Sequence, residues 1–262
     1  MEQALYFHGI PGDAGELGLF GDGSTPPLDD VHCIDRTSTN SNANPETYFR
    51  DLAHSIQHLH PETPLRLIGF SLGASAALRT AAFLGHQVSS IDLISAAAPL
   101  TLGNYLDTMA GAPVFKLARS SPSLFRALAK AQSLTATIAP GMLFDALFAS
   151  AQGADKALSK QPDFKAAMVA ILRQSLGAGL STYRREIALY VKDWETELDH
   201  VMQPVTLYHG QLDNWSPVAM AHHLEQRLPR VKTVRLLDGL SHYSTLQEYW
   251  QRYFTHPSPI VS

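Results

Sequence analysis

The chain contains one cysteine, Cys33, in 262 residues. No disulfide can close within it, so nothing points to the oxidising setting of secreted proteins. No apolar run reaches the ~20 residues that span a bilayer. The start, Met1 to Phe7, lacks a basic stretch followed by a long apolar one. A cytoplasmic protein with no membrane partner is the expectation. Charge is also scarce: Asp, Glu, Lys and Arg make up 17%, and the net charge is −4. Such a balance offers no electrostatic handle to nucleic acid or to an anionic surface. Metal-ligand spacing is missing as well. The twelve histidines are dispersed. His54 and His58 lie four apart and His222 and His223 are adjacent, but no His-Glu-x-x-His arrangement occurs and no third ligand is spaced to help. No metal and no other cofactor is expected. Cys33 sits in a short apolar run, Val31 to Ile34, and reads as a buried bystander.

What is present is a rhythm. Apolar residues make up 45%, enough for one large core, or a core with a modest insert. Short strand-like runs appear at Ala4 to Phe7, Val31 to Ile34, Leu65 to Phe70 and Ser90 to Ser95. A polar loop spans Thr37 to Pro45. A helix follows at Pro45 to His60, where Tyr48, Phe49, Leu52, Ile56 and Leu59 recur at three and four residues. Strands alternating with helices imply parallel βαβ units. The rhythm stops near Leu102. From there to about Val201 the pattern is helical, with breaks such as Gly111-Ala112-Pro113 and Gly177-Ala178-Gly179. It resumes with strands at Val205 to Tyr208 and Thr233 to Leu237, each followed by a helix.

One pentapeptide organises this pattern: Gly69-Phe70-Ser71-Leu72-Gly73, placed between a strand and a helix. A turn that sharp needs glycines for close approach. It leaves the serine strained, with its hydroxyl projecting from the sheet. A serine hydroxyl is a weak nucleophile. It needs a base within hydrogen-bond reach, and the base needs an orienting carboxylate. In a parallel sheet the loops at the strand C-termini share one crevice. Three such loops carry Ser71, Asp213 and His242. Two rival acids fit less well: Asp92 comes too early in its strand, and Asp238 lies too near His242 in sequence.

With these residues in that order, the chain resembles the α/β-hydrolase fold family. The motifs that carry the resemblance are His8-Gly9-Ile10-Pro11-Gly12, the pentapeptide, His209-Gly210-Gln211-Leu212-Asp213 with Pro217 after it, and Gly239-Leu240-Ser241-His242. The resemblance implies an α/β fold: a mostly parallel sheet of about six strands, helices on both faces, and a helical cap. The core would comprise residues 1–102 and 201–262, and the cap residues 103–200. It implies Ser71 as nucleophile, His242 as base and then acid, and Asp213 as the carboxylate that fixes the imidazole. The backbone N–H groups of Leu72 and Ile10 would form the oxyanion hole, with His8 shaping that loop and His209 structural. The family usually has two strands before the oxyanion-loop strand. Here the first strand starts at residue 4, so those two are expected to be missing, which would leave the strand near Cys33 as an exposed edge. A homodimer through that edge is one expected solution; a monomeric mass in solution would argue against it.

A serine at the elbow suits acyl transfer and argues against the dehalogenases and epoxide hydrolases of this fold, which use a carboxylate there. The expected activity is hydrolysis of a small carboxylic ester through an acyl-enzyme. Activity is expected to fall below about pH 6 as His242 takes up its proton. His8, Phe70, Trp215, Phe144 and Phe148 are expected around the substrate. Phe115, Leu124, Phe125, Leu128, Met142, Leu143 and Leu147 are the further apolar candidates of the insert. Between residues 103 and 200 there are 11 Lys/Arg and 9 Asp/Glu, so no charge preference follows. Three other readings stay open: a proline-iminopeptidase-like enzyme using cap acids such as Glu186, Glu195 or Glu197; a C–C bond hydrolase or cofactor-free perhydrolase with the same triad; and a slow-turnover ligand receptor on the same fold.

Overall fold

A computed structural model of the protein describes residues 2–20, 30–37 and 44–255. Most of the polar loop expected after Thr37 lies outside these residues. Six strands form one sheet: β1 (Gln3–Phe7), β2 (Val31–Cys33), β3 (Leu65–Phe70), β4 (Val88–Ile94), β5 (Val205–Gly210) and β6 (Val231–Leu237). Their order is β2-β1-β3-β4-β5-β6, and every neighbouring pair is parallel. β2 and β6 are the edges, and β2 has only three residues.

The central strands are buried on both faces, which is why they read as near-continuous apolar runs. Side chains alternate across the sheet, and β3 displays both faces. Gly69 points at the helix that follows Ser71, α2 (Leu72–Leu84), where an added Cβ would lie 2.7 Å from the Ala74 Cα. Arg66, three residues earlier, points the other way. Its guanidinium Nε lies 2.9 Å from the Asp92 carboxylate, and Asp92 also accepts from Tyr249 Oη at 2.8 Å. Tyr249 belongs to the last helix, α10 (His242–Thr255). Asp92 is thus committed to holding α10 on the sheet. The first helix, α1 (Pro45–Leu59), packs on α2, with Asn44 capping it through a 2.9 Å bond from Thr47 N.

Between β4 and β5 lie six helices: α3 (Ala112–Ser120), α4 (Pro122–Ile138), α5 (Pro140–Phe148), α6 (Asp155–Leu158), α7 (Pro162–Leu176) and α8 (Leu180–Tyr190). Four of them carry proline in the first turn, where its missing N–H costs nothing. After β5 comes α9 (Ala219–Arg227). Among the described residues no helix is long and apolar enough to cross a membrane.

Candidate active site

The turn from β3 into α2 has the expected strain. Ser71 sits at φ 54°, ψ −125°, a region that costs a non-glycine residue ~1–3 kcal/mol. Its backbone holds it there from two sides: Ser71 N donates to Ile94 O at 3.0 Å, and Ser71 O accepts from Ala97 N at 3.1 Å. Gly73 explains itself by crowding. A Cβ there would fall 2.0 Å from Phe7 O and 2.4 Å from His8 O. The elbow can therefore press against the end of β1 only with glycine at 73.

Asp213 and His242 meet at the ends of β5 and β6. The His242 Nδ1 lies 2.8 Å from Asp213 Oδ2, and both side chains are buried. The other carboxylate oxygen, Oδ1, accepts the backbone N–H groups of Trp215 and Ser216 at 2.8 and 2.9 Å. Burial alone would raise the Asp213 pKa. The imidazole of His242 and these donors outweigh it, so the carboxyl is held below its usual range. An ionised Asp213 fixes His242 as the tautomer with Nδ1 protonated and Nε2 open as the basic nitrogen. The imidazole is sandwiched: Trp215 stacks on it at 5.2 Å and 19°, and Phe70, next to Ser71, lies 4.8 Å away. Ser95 Oγ donates to His242 O at 3.2 Å, tying the histidine to the end of β4. His209 is buried within β5. Its Nε2 is 2.7 Å from Ser216 O, and burial pulls its pKa down, so it is a neutral prop for the Asp213 loop.

Ser71 opens onto a cavity of about 190 Å³. Ile10, Leu72 and Trp215 line it beside the serine. The inserted helices supply Phe115, Leu143, Leu147, Leu176 and Ile187. Among the described residues no charged side chain lines this cavity. Its polar lining includes Gln132 and Tyr183, whose side chains bond each other at 3.1 Å.

Of the five residues expected around the substrate, four, Phe144, Phe148, Phe70 and His8, do not line this cavity, nor do the further candidates Leu124, Phe125, Leu128 and Met142. Phe144 and Phe148 stack on each other at 4.5 Å and join Phe164 and Tyr243 in an aromatic cluster. The wall comes from the other side of α5: Leu143, Ala146 and Leu147. That helix is apolar nearly all round, so composition did not distinguish its faces. Leu124 and Met142 are exposed, at 59% and 67%. Phe70 is fully buried beneath His242. His8 is buried behind the loop that carries Ile10, where Arg36 donates to its carbonyl at 2.7 Å and lies 2.9 Å from its Nδ1. Burial, with the Arg36 charge, depresses the His8 pKa, so the ring stays neutral.

The loop carrying Ile10 is braced by residues that sequence reasoning missed. Glu16 is fully buried. Its Oε2 accepts from Tyr6 Oη at 2.7 Å and from Gly9 N at 3.0 Å. Burial pushes the Glu16 carboxyl up to about 7. Gly12 N donates to Ser175 Oγ of α7 at 3.1 Å. Arg36 also pairs with Glu186 of α8 at 3.2 Å, and Glu186 accepts from Tyr48 at 2.7 Å. An acid seven residues after His-Gly was the one visible hint, since Tyr6, Ser175 and Arg36 reach the loop only through the fold.

A family model described as "Alpha/beta hydrolase family" matches residues 5–255. The chain belongs to the alpha/beta hydrolase family. Among solved structures it is similar to an esterase from Exiguobacterium antarcticum, with a TM-score of 0.65 at 18% identity, covering 100% of this chain and 92% of that one. A bromoperoxidase from Bacillus anthracis gives 0.65 at 14% identity, covering 97% and 90%. A thermophilic esterase from Thermogutta terrifontis gives 0.63 at 15%, covering 97% and 90%. At these identities the likeness shows a shared fold. No curated protein matches the chain. As a hydrolase-family protein it has its buried Asp-His pair and strained serine at the strand C-termini, where this fold gathers its loops.

Proposed function

We propose that this protein is a serine hydrolase that cleaves a neutral carboxylic ester by way of an acyl-enzyme. The observation that carries the reading is the Asp213–His242 hydrogen bond, with the imidazole packed on Phe70, next in the chain to a strained Ser71 that faces a cavity with no charged residue among its described lining. His242 Nε2 takes the Ser71 proton as Oγ attacks the ester carbon. The oxyanion then accepts from the N–H groups of Leu72 and Ile10, both on the cavity wall. Each such donor is worth roughly 3 kcal/mol of transition-state stabilisation. His242 returns the proton to the leaving alcohol, and water repeats the sequence to release the acid.

We read residues 103–200 as the cap and the apolar side of the cavity as the seat of the acyl or alcohol chain. The lack of a charged wall disfavours substrates with a free amino group. Glu186, Glu195 and Glu197, the acids an iminopeptidase reading needs, are engaged by Arg36, Arg227 and Arg79 respectively. None of them lines the cavity.

A panel of p-nitrophenyl esters, a thioester and a prolyl anilide on purified protein tests this, with Ser71→Ala as the blank. Turnover of short esters, its loss in Ser71→Ala, and fluorophosphonate labelling of Ser71 are expected. Equal turnover by Ser71→Ala rules the mechanism out. Labelling without turnover points instead to a receptor.

A further inference from the structure

The geometry points to Asp155, an acid of the inserted helices far from the triad in sequence, as a positioning residue that holds the His242 loop in its working place. The inference rests on the reading of His242 as the base.

Asp155 opens α6 and is fully buried. Its partners are all in the segment that carries His242. Asp155 Oδ2 accepts from Tyr243 N at 3.0 Å, and Oδ1 accepts from Ser244 N at 2.8 Å. These are first-turn N–H groups of α10, which begins at His242 and has no intrahelical acceptors for them. Ser244 Oγ in turn accepts from Ser241 N at 2.8 Å, tying the same turn back to the residue before His242. The backbone just before Asp155 docks on the same loop: Ala154 N donates to Gly239 O at 2.9 Å. Gly153, at φ 49°, allows that approach, because a Cβ there would fall 2.5 Å from the same carbonyl.

One carboxylate therefore clamps residues 241–244 from the side of the insert. Asp213 fixes the ring of His242; Asp155 fixes the backbone from which the ring hangs. A buried acid with two backbone donors is a costly arrangement for packing alone, since an apolar residue would fill the space without desolvating a charge. Its placement over the start of α10 suits both the orphan N–H groups and the helix dipole. The titratable groups facing His242 are Asp213, Asp155, His209 and Tyr243. Losing the clamp displaces the ring and so lowers kcat at constant KM, a signature that a general loss of packing would not give.

The test compares wild type with Asp155→Asn, nearly isosteric and uncharged. Folding is checked by circular dichroism, and kcat and KM are measured on a p-nitrophenyl ester across pH. A fall in kcat of about tenfold or more with KM within twofold is expected, as for a misplaced catalytic group. A folded variant with unchanged kcat overturns the proposal. If Asp155→Asn does not fold, Ser244→Ala replaces it: a lower kcat at constant KM supports the clamp, and an unchanged kcat refutes it. The proton NMR resonance of His242 Nδ1–H keeps this separate from the hydrolase reading. It should shift or broaden in the variant even if wild type cleaves no ester, and an unaltered resonance would count against the clamp.

Discussion

Asp213 divides its two oxygens between two tasks. Oδ1 is saturated by the N–H groups of Trp215 and Ser216, and Oδ2 alone faces the imidazole. Asp213→Asn can keep the first set of bonds. At the second position an amide presents either a weaker acceptor or a donor, and a donor there favours the wrong imidazole tautomer. The expected result is a folded protein whose kcat falls by roughly 10³–10⁴ while KM changes little. Steady-state kinetics on the preferred ester checks it, and a loss below tenfold would show that His242 does not depend on Asp213. Ser71, Asp213 and His242 were legible in the sequence because each sits in a glycine-marked strand end whose order along the chain is informative. Asp155 and Arg36 were not. They lie in no motif, and their roles exist only after 88 and 28 residues of intervening chain bring partners to them.

At the scale of elements, the loop after β1 depends on Glu16 most directly. Its carboxyl titrates near 7 rather than at the ordinary glutamate value because it is buried. The sign follows from linkage. The fold favours the protonated form, so stability is full at pH below the unfolded value and is lost as pH rises through about 7. The loss amounts to roughly 3 kcal/mol between pH 4 and pH 8. Glu16→Gln cannot ionise, so its stability relative to wild type should grow by about that amount over the same span. Urea unfolding of both proteins at pH 5 to 8 measures it; a pH-independent difference would mean that Glu16 is not titrating in the fold. The strands and the core helices were legible from short apolar runs and three-four spacing, with ends moving by a few residues. β4, for example, begins at Val88 rather than Ser90. The face of α5 that meets the cavity was not legible, because Leu143, Leu147, Phe144 and Phe148 are all apolar and only packing separates them.

Across the whole molecule, the insert is tied to the sheet by buried polar bonds as well as by apolar contact. The pair Arg36–Glu186, joined by Tyr48, links the segment after β2, α1 and α8. Arg36 also reaches the carbonyl of His8 at the oxyanion loop. Glu186→Ala removes a carboxylate from a buried cation and should cost ~3–5 kcal/mol. Chemical denaturation would read this as a lower midpoint, and a change under 1 kcal/mol would mean that water replaces the carboxylate freely. Activity should fall with stability in that variant, because the same arginine steadies the loop that carries Ile10.

The seating of Asp155 has a consequence for recombination between relatives. Helical inserts of this fold invite exchange, as though they were interchangeable lids that set specificity on a fixed engine. Here the backbone beside His242 is fastened by a screw that travels with the inserted helices. A graft that brings in foreign helices without an acid at the junction, and without the glycine that lets it seat, should yield a well-folded but sluggish chimera. Restoring those two positions should recover much of its speed.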